Sequence, residues 1–356
     1  MSFDIESQVG TTAVREGLKF DQPALERWMA DHVAGFAGPL VVEQFRGGQS
    51  NPTFKLTTPG RAYVLRRKPP GPLLKGAHAV DREARVMQGV ARAGFPVPHV
   101  HALCTDEAVI GSWFYVMDMV DGRIFWDTSF PGVPREERPA YFDAMNATIA
   151  ALHSIDFEAV GLGDYGRTGD YFARQIRTWS AQYLSDDLAG RDPHMDRLVE
   201  WLPANIPASD STAIVHGDFR ADNMIFHPTE PRVIAVLDWE LSTLGNPAAD
   251  FAYHAMMYSM PAAIFTGLGG ADLAALNIPA EADYIAAYCR RTGRDALPEF
   301  DYAVAFNLFR LAAIVHGIKG RLIRGNAANA QAKSRADALP VIAELAWRQA
   351  ERAGAC

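Results

Sequence analysis

HGDFRADNMIF, residues 216–226, places a histidine, two aspartates, an arginine and an asparagine in eight residues, then turns apolar. Polar side chains ahead of a buried strand are costly unless they have partners or a task. The stretch continues as HPTEPRVIAVLDWE, residues 227–240. A proline-containing turn between two apolar runs predicts a hairpin of 224–226 with 233–237. Asn223 and Asp238 then flank its open end. Both are hard oxygen donors of the kind magnesium takes together with substrate phosphates. Asp218 lies five residues before Asn223. That is the Asp-to-Asn spacing of a kinase catalytic loop, in which the Asp accepts the proton of a substrate hydroxyl. Singly, Asp218, Asp222 and Asn223 could decorate a turn and Asp238 could cap a helix. Together, around a strand–turn–strand, they point to a site.

The rest of the chain sets bounds. Its 356 residues suggest two lobes or two modest domains. Hydrophobic residues make up 49% and charged ones 21%, an ordinary globular composition. A net charge of −8 argues against a general nucleic-acid binder. Cys104, Cys289 and Cys356 are far apart, with no disulfide framework or zinc spacing. MSFDIESQVG has no apolar leader region, and the best apolar run, AVAFNLFRLAAIVHGI, is broken by Asn307, Arg310 and His316. The expectation is a cytoplasmic protein without a membrane span.

Periodicity predicts a helix at 22–35 and then a three-stranded meander over about 40–68, split by GGQSN and TPGR. A long helix follows, stopped by Gly94 and Pro96, and then strands near 99–104 and 113–119. Beyond this the pattern is mainly helical, over 135–153, 168–185, 193–202, 280–292, 301–324 and 330–352. The expected division is a nucleotide-binding lobe at 1–119 and a helical catalytic and substrate lobe at 120–356.

HGDFRADNMIF, VIAVLDWE and GNPAADFAYH together resemble the aminoglycoside phosphotransferase-like kinases, over about 25–345. The resemblance implies an α+β, protein-kinase-like bilobal fold. Its first lobe is an antiparallel sheet with one long helix, and its second is mainly helical. It also implies an ATP- and Mg2+-dependent kinase acting on the hydroxyl of a small molecule. Asp218 is the implied catalytic base, Asn223 and Asp238 the implied metal ligands, and His216 a brace for the loop. Asp250 is implied as a support behind the metal site. Where the family commonly has Asp-Pro, this chain has Asn246-Pro247.

The same resemblance makes the RGGQSN turn a phosphate flap, with Gly48, Gln49, Ser50 and Asn51 binding nucleotide. By turn chemistry alone it is a hairpin connection. YVLR, residues 63–66, aligns with the V-A-I-K strand of kinases. Alternation puts Val64 and Arg66 on one face, Val64 toward adenine and Arg66 toward phosphates. Arg66 replaces the usual lysine and can bind phosphate through two donors. Arg67 and Lys68 are rivals for that role, and the three could also be an edge-strand charge cluster. Glu83 on the following helix is the natural partner of Arg66, although such a residue is more often solvated. FYVMDMVDG reads as the hinge, its backbone at Met117, Asp118 and Met119 meeting adenine.

GLGDYG, residues 161–166, matches a dinucleotide fingerprint literally but lacks the strand before and helix after. A nucleotide-binding pseudokinase with a regulatory role is the alternative, favoured only by Arg66. A protein kinase is disfavoured, because WELSTLGNPAA leaves no long activation segment between Asp238 and Asp250. Among family members, YVLRRKPPGPLL, FYVMDMVDGRIFWD and NLFRLAAIVHGIKGRLIRGN most resemble kinase-like domains fused to acyl-CoA dehydrogenases. That branch implies a hydroxyacyl-CoA acceptor. Arg310, Arg321 and Arg324, with Gly317 beside them, fall on one helical stripe that could meet its phosphates. The stripe could equally be solvated, or satisfied by carboxylates of the same lobe.

Overall fold

The computed structural model of the protein describes residues 9–46, 51–71, 78–208, 211–264, 266–325 and 330–356, with 330 and 331 in backbone only. In chain order the elements begin with β1 (Thr11–Thr12), α1 (Gln22–His32), β2 (Val41–Phe45), β3 (Thr53–Thr57), β4 (Ala62–Arg67) and α2 (Val80–Arg92). There follow β5 (Val100–Cys104), α3 (Glu107–Ile110), β6 (Phe114–Asp118), α4 (Arg138–His153), α5 (Tyr171–Leu184) and α6 (Pro193–Ala204). Next come β7 (Ala213–Val215), β8 (Met224–Phe226), β9 (Val233–Val236), β10 (Thr243–Gly245) and α7 (Pro247–Ala255). The chain ends with α8 (Leu273–Leu276), α9 (Glu281–Thr292), α10 (Phe300–Ile323), α11 (Ala330–Asp337) and α12 (Leu339–Arg352).

The chain forms two compact units. One holds the chain as far as Trp126, together with Phe157–Leu162 and Asp222–Ser242; the other holds the remainder. A single cut near 119 therefore misses two returns to the first unit. The β8–β9 hairpin returns because Phe226 exchanges two 2.8 Å backbone hydrogen bonds with Arg123, and the Val236 amide donates to Pro96 O. The 157–162 segment returns because Arg92 and Arg85 on α2 donate to the carbonyls of Val160 and Gly161.

In the first unit the sheet order is β1-β2-β3-β4-β6-β5. The pleat divides its side chains between two faces. Phe54, Leu56, Tyr63, Leu65, Phe114 and Val116 pack with Leu25 and Met29 of α1 in one core. Asp21 caps α1 by accepting from the Ala24 amide, and Pro23 occupies its first turn. The opposite face presents Val64, Arg66, Tyr115 and Met117, with Val64 paired to Met117 and Arg66 to Tyr115 across the strands.

The second unit is built on α10. This helix is long and apolar enough to cross a membrane by length and composition, and 78% of its apolar window is buried inside the protein. Two of its features escape the sequence pattern. α7 was not anticipated as a helix, nor was the short β7–β10 pair, because each is too brief to show a period. The helix expected over 330–352 is interrupted: α11 ends at Asp337 and α12 restarts with Pro340 in its first turn, where a missing N–H costs nothing.

Candidate active site

In the first unit, Arg66 is the centre of a buried charge cluster. Its Nε lies 2.8 Å from Glu83 Oε2, and its Nη2 lies 2.6 Å from Asp238 Oδ1 and 3.6 Å from Glu240 Oε2. Burial opposes the guanidinium charge. Glu83 and Asp238, with Tyr115 and Glu240 behind them, outweigh it and hold Arg66 above its ordinary range. Burial pushes the Glu83 carboxyl upward; Arg66 pulls it back, and Asp238 and Glu240 push it up again. Glu83 also accepts from Asn51 Nδ2 at 2.6 Å and Tyr115 Oη at 3.1 Å.

The strand register sends the two neighbouring arginines to opposite faces. Arg67 faces the α1 side, where its Nε donates to Ser112 Oγ at 2.8 Å and its guanidinium lies over Phe20. Lys68 lies 3.8 Å from the Trp113 ring centroid and 3.8 Å from Asp81. Asn51, expected beside the nucleotide, is turned inward: fully buried, it joins Glu83 to His78 Nδ1, 2.9 Å from its Oδ1. A buried amide needs partners at both ends, and these supply them. Gly48, Gln49 and Ser50 lie outside the described residues.

At the hairpin, Met224 pairs with Val236 and the Leu237 amide donates to Asn223 O at 2.8 Å. The pairing thus runs one residue past β8, leaving Asn223 and Asp238 at the open end. Asp238 adopts the left-handed conformation, φ 65° and ψ 59°, which Asp tolerates better than most residues. Three carboxylates around one guanidinium leave surplus negative charge. Asn223 and Asp238 carry hard oxygen donors of the kind magnesium takes, while no group of three or more His, Cys, Asp or Glu is placed to hold a metal among the described residues. At the hinge, Val64 and Met117 are buried, and Met119 follows the end of β6. Asp118 is already engaged: its amide donates to His99 O, and its carboxylate meets Arg61 and His101.

In the second unit, β7 delivers the chain into the loop that carries Asp218. Gly217 has φ 81°, where a side chain would be strained. Asp250 on α7 accepts from the His216 amide at 2.7 Å and the Gly217 amide at 2.8 Å. His153 Nε2 lies 3.1 Å from the same carboxylate. Burial would raise Asp250, but the hydrogen bond and charge of His153, then His216, hold it below the usual carboxylate range. His216 is fully buried and its Nδ1 accepts from the Asp218 amide at 3.2 Å. Asn246 caps α7 by accepting from the amides of Ala248 and Ala249.

The arginine stripe on α10 has internal partners. Arg310 is buried and donates to Gly217 O at 2.7 Å. Arg324 grips both oxygens of Asp186, at 2.9 and 2.6 Å, while Arg321 is exposed. The three arginines of the stripe thus meet different surroundings. Of the three, Arg310 adjoins the Asp218 loop through Gly217 O, and two further arginines stand near that loop. Arg220 Nε lies 3.5 Å from Asp218 Oδ1, and Arg335 on α11 is lowered by burial and then by the charge of Arg220.

His254 holds the next residue of the loop. Its Nδ1 must donate to Phe219 O at 3.1 Å, because a carbonyl only accepts. Its Nε2 therefore accepts from Tyr284 Oη at 2.7 Å, which specifies the neutral ring. Burial pushes it from 6.5 down to about 4. The contribution to stability is thus complete above pH 6.5 and is lost as pH falls through about 4. A loss of about 3 kcal/mol is expected across that window. Urea midpoints of wild type and His254→Gln, whose amide can keep both hydrogen bonds, check this. Equal pH dependence in the two would show that His254 is not the titrating group.

Sequence reasoning passed over Glu240, Tyr115 and Tyr253. Each stood inside a quoted motif: Glu240 two residues after Asp238, Tyr115 in the hinge strand, and Tyr253 in GNPAADFAYH. Alternation along β6 could have placed Tyr115 on the Arg66 face. Helical spacing from Asp250 could have found Tyr253, had α7 been recognised.

A sheet with one long helix, a mainly helical second unit and these paired motifs define a phosphotransferase of α+β, protein-kinase-like bilobal fold. The chain belongs to the phosphotransferase enzyme family, whose profile matches residues 41–300, and is an enzyme that phosphorylates alcohol groups. It is 51% identical to a Ralstonia eutropha JMP134 protein described as an aminoglycoside phosphotransferase candidate. That crystal structure superposes with a TM-score of 0.87, covering 94% of this chain and 99% of the other. The fold is shared with aminoglycoside phosphotransferase APH(4)-Ia, solved with AMP-PNP and hygromycin B. There the TM-score is 0.59 at 15% identity, over 93% of this chain and 99% of that one. Among curated proteins, it is 42% identical to mouse acyl-CoA dehydrogenase family member 10, over 97% of this chain and 32% of the relative. It is 46% identical to chicken acyl-CoA dehydrogenase family member 11, over 89% of this chain and 42% of the relative. The chain thus spans less than half the length of these curated relatives.

Proposed function

We propose that the enzyme transfers the γ-phosphoryl group of ATP to the hydroxyl of a hydroxyacyl-CoA. The observation that carries the phosphoryl-transfer part is the setting of Arg66, paired with Glu83 on the long helix and adjoining Asp238. Kinases require this strand–helix ion pair before phosphates are held productively. Val64 and Met117 flank the adenine, and Arg66 meets the α- or β-phosphate. Asn223 and Asp238 would hold magnesium, whose charge offsets that of the phosphates when it is bound. Asp218 orients the acceptor hydroxyl and takes its proton as the oxygen bonds to phosphorus and the bond to ADP breaks. Positioning and electrostatics carry most of such catalysis.

The acceptor class rests on charge and on the relatives. Arg220 stands beside Asp218, with Arg335 near it. Guanidiniums there repel a polycationic aminoglycoside and attract an anionic ester. The curated relatives bear the name acyl-CoA dehydrogenase over polypeptides of which this chain matches a minor part, which supports an acyl-CoA as the shared substrate class. The test is magnesium-dependent ADP release with 4-hydroxyacyl-CoA, the free 4-hydroxy acid, choline and an aminoglycoside. The CoA ester is expected to be turned over fastest. Equal rates on the free acid would remove the CoA requirement, and turnover of the aminoglycoside alone would overturn the acceptor class.

A further inference from the structure

We infer that Tyr253 is a positioning residue for the base, holding the Asp218 carboxylate by Oδ1 and so setting how it meets the acceptor hydroxyl. The inference rests on the reading of Asp218 as that base.

The argument starts from α7. Asp250 and Tyr253 are three residues apart on this helix and share a face. Asp250 takes the amides of His216 and Gly217, while the Tyr253 hydroxyl donates to Asp218 Oδ1. One helix face thus grips three consecutive residues of the loop. α10 repeats the device with the same spacing. Its Asn307 donates to Ala249 O of α7 at 2.8 Å, and its Arg310 donates to Gly217 O. The Arg310 guanidinium also lies 5.2 Å from the centroid of the Tyr253 ring. The phenol is therefore held at its ring by α10 and along its backbone by α7, with its hydroxyl directed at the carboxylate.

Backbone clamps at 216 and 217 set the loop path, but by themselves they do not fix the side-chain torsions of Asp218. The Tyr253 hydroxyl restrains them, with Arg220 Nε 3.5 Å from the same oxygen. The Asp218 side chain is 24% exposed, so water could satisfy it. A fixed donor here serves orientation more than burial. Among the charged and titratable groups around Asp218 are Tyr253 from α7, Arg220 and His216 from its own loop and Arg310 beyond the ring. Burial, then the Asp218 charge, pushes the phenol far upward, so it stays a proton donor at every working pH.

Tyr253→Phe keeps the ring over Arg310 and removes only the donor, so the fold is retained. ADP release is measured on the acceptor that the wild type turns over fastest, or on water if none is turned over. The expected result is a kcat lower by about 10- to 100-fold, the loss of one charge-assisted hydrogen bond. KM for ATP should stay within about twofold of wild type. The acid limb of the kcat profile should move to higher pH, because a carboxylate without its donor binds a proton more readily. In Asp218→Asn the same change should cost nothing further, since the two side chains act as one unit. Wild-type kcat and an unmoved acid limb in Tyr253→Phe, with Asp218→Asn inactive, overturn the positioning role and leave the base assignment standing. Full turnover in Asp218→Asn removes both.

Discussion

Asp218→Ala is expected to lower turnover by about 10²–10⁴ while ATP still binds, the range for loss of a positioned general base. Because the proposed phosphate and metal contacts are Arg66, Asn223 and Asp238, nucleotide affinity should survive its removal. Its backbone is held independently of its carboxylate. The Asp218 amide is on His216, and the preceding two amides are on Asp250. The loop should therefore keep its path when the side chain is cut back. Single-turnover phosphorylation, with ATP binding measured separately, checks this. Wild-type turnover would end the assignment of Asp218 as base.

Asp238→Asn is expected to abolish magnesium-dependent tightening of ATP binding. The loss should exceed the roughly 10–100-fold that follows removal of a residue merely supporting a metal site. Asparagine is the better probe than alanine because position 238 is left-handed, with φ 65°, and Asn tolerates that region. Arg66 keeps Glu83 at 2.8 Å and Glu240 at 3.6 Å after the change, so its buried charge is not stranded. Calorimetric titration of ATP with magnesium and with EDTA distinguishes the outcomes. Affinities of wild type and variant should converge in EDTA. A magnesium effect that persists in the variant would remove Asp238 as a metal ligand.

Much of the first unit was legible from local pattern. The meander strands, the long helix ending before Gly94 and the two strands after it carry their own periods and their own turn residues. The pleat then dictated that Val64 and Arg66 share a face, a consequence of backbone geometry alone. The hairpin that sets Asn223 beside Asp238 was readable for the same reason: two short apolar runs and one turn leave one close pairing.

Other features depended on distant partners. Whether Arg66 or Arg67 faces the acidic cluster follows from alternation, but that Asn51 donates to Glu83 does not, because no local signal links residues 32 apart. The arginines of α10 looked alike in sequence. Burial and the nearest acceptor separated them, giving Arg310 to Gly217 and Arg324 to Asp186. α7 was too short for its period to register, and so Tyr253 went unnoticed beside Asp218, 35 residues earlier. The sequence by itself marked Asp218, Asn223, Asp238, Arg66 and Glu83 as candidates and most of the longer strands and helices, since propensity and periodicity act over a few residues. Only the tertiary structure decided which of those groups are held, by what and on which atom, since hydrogen bonds and burial are made between segments that the chain brings together only when it folds.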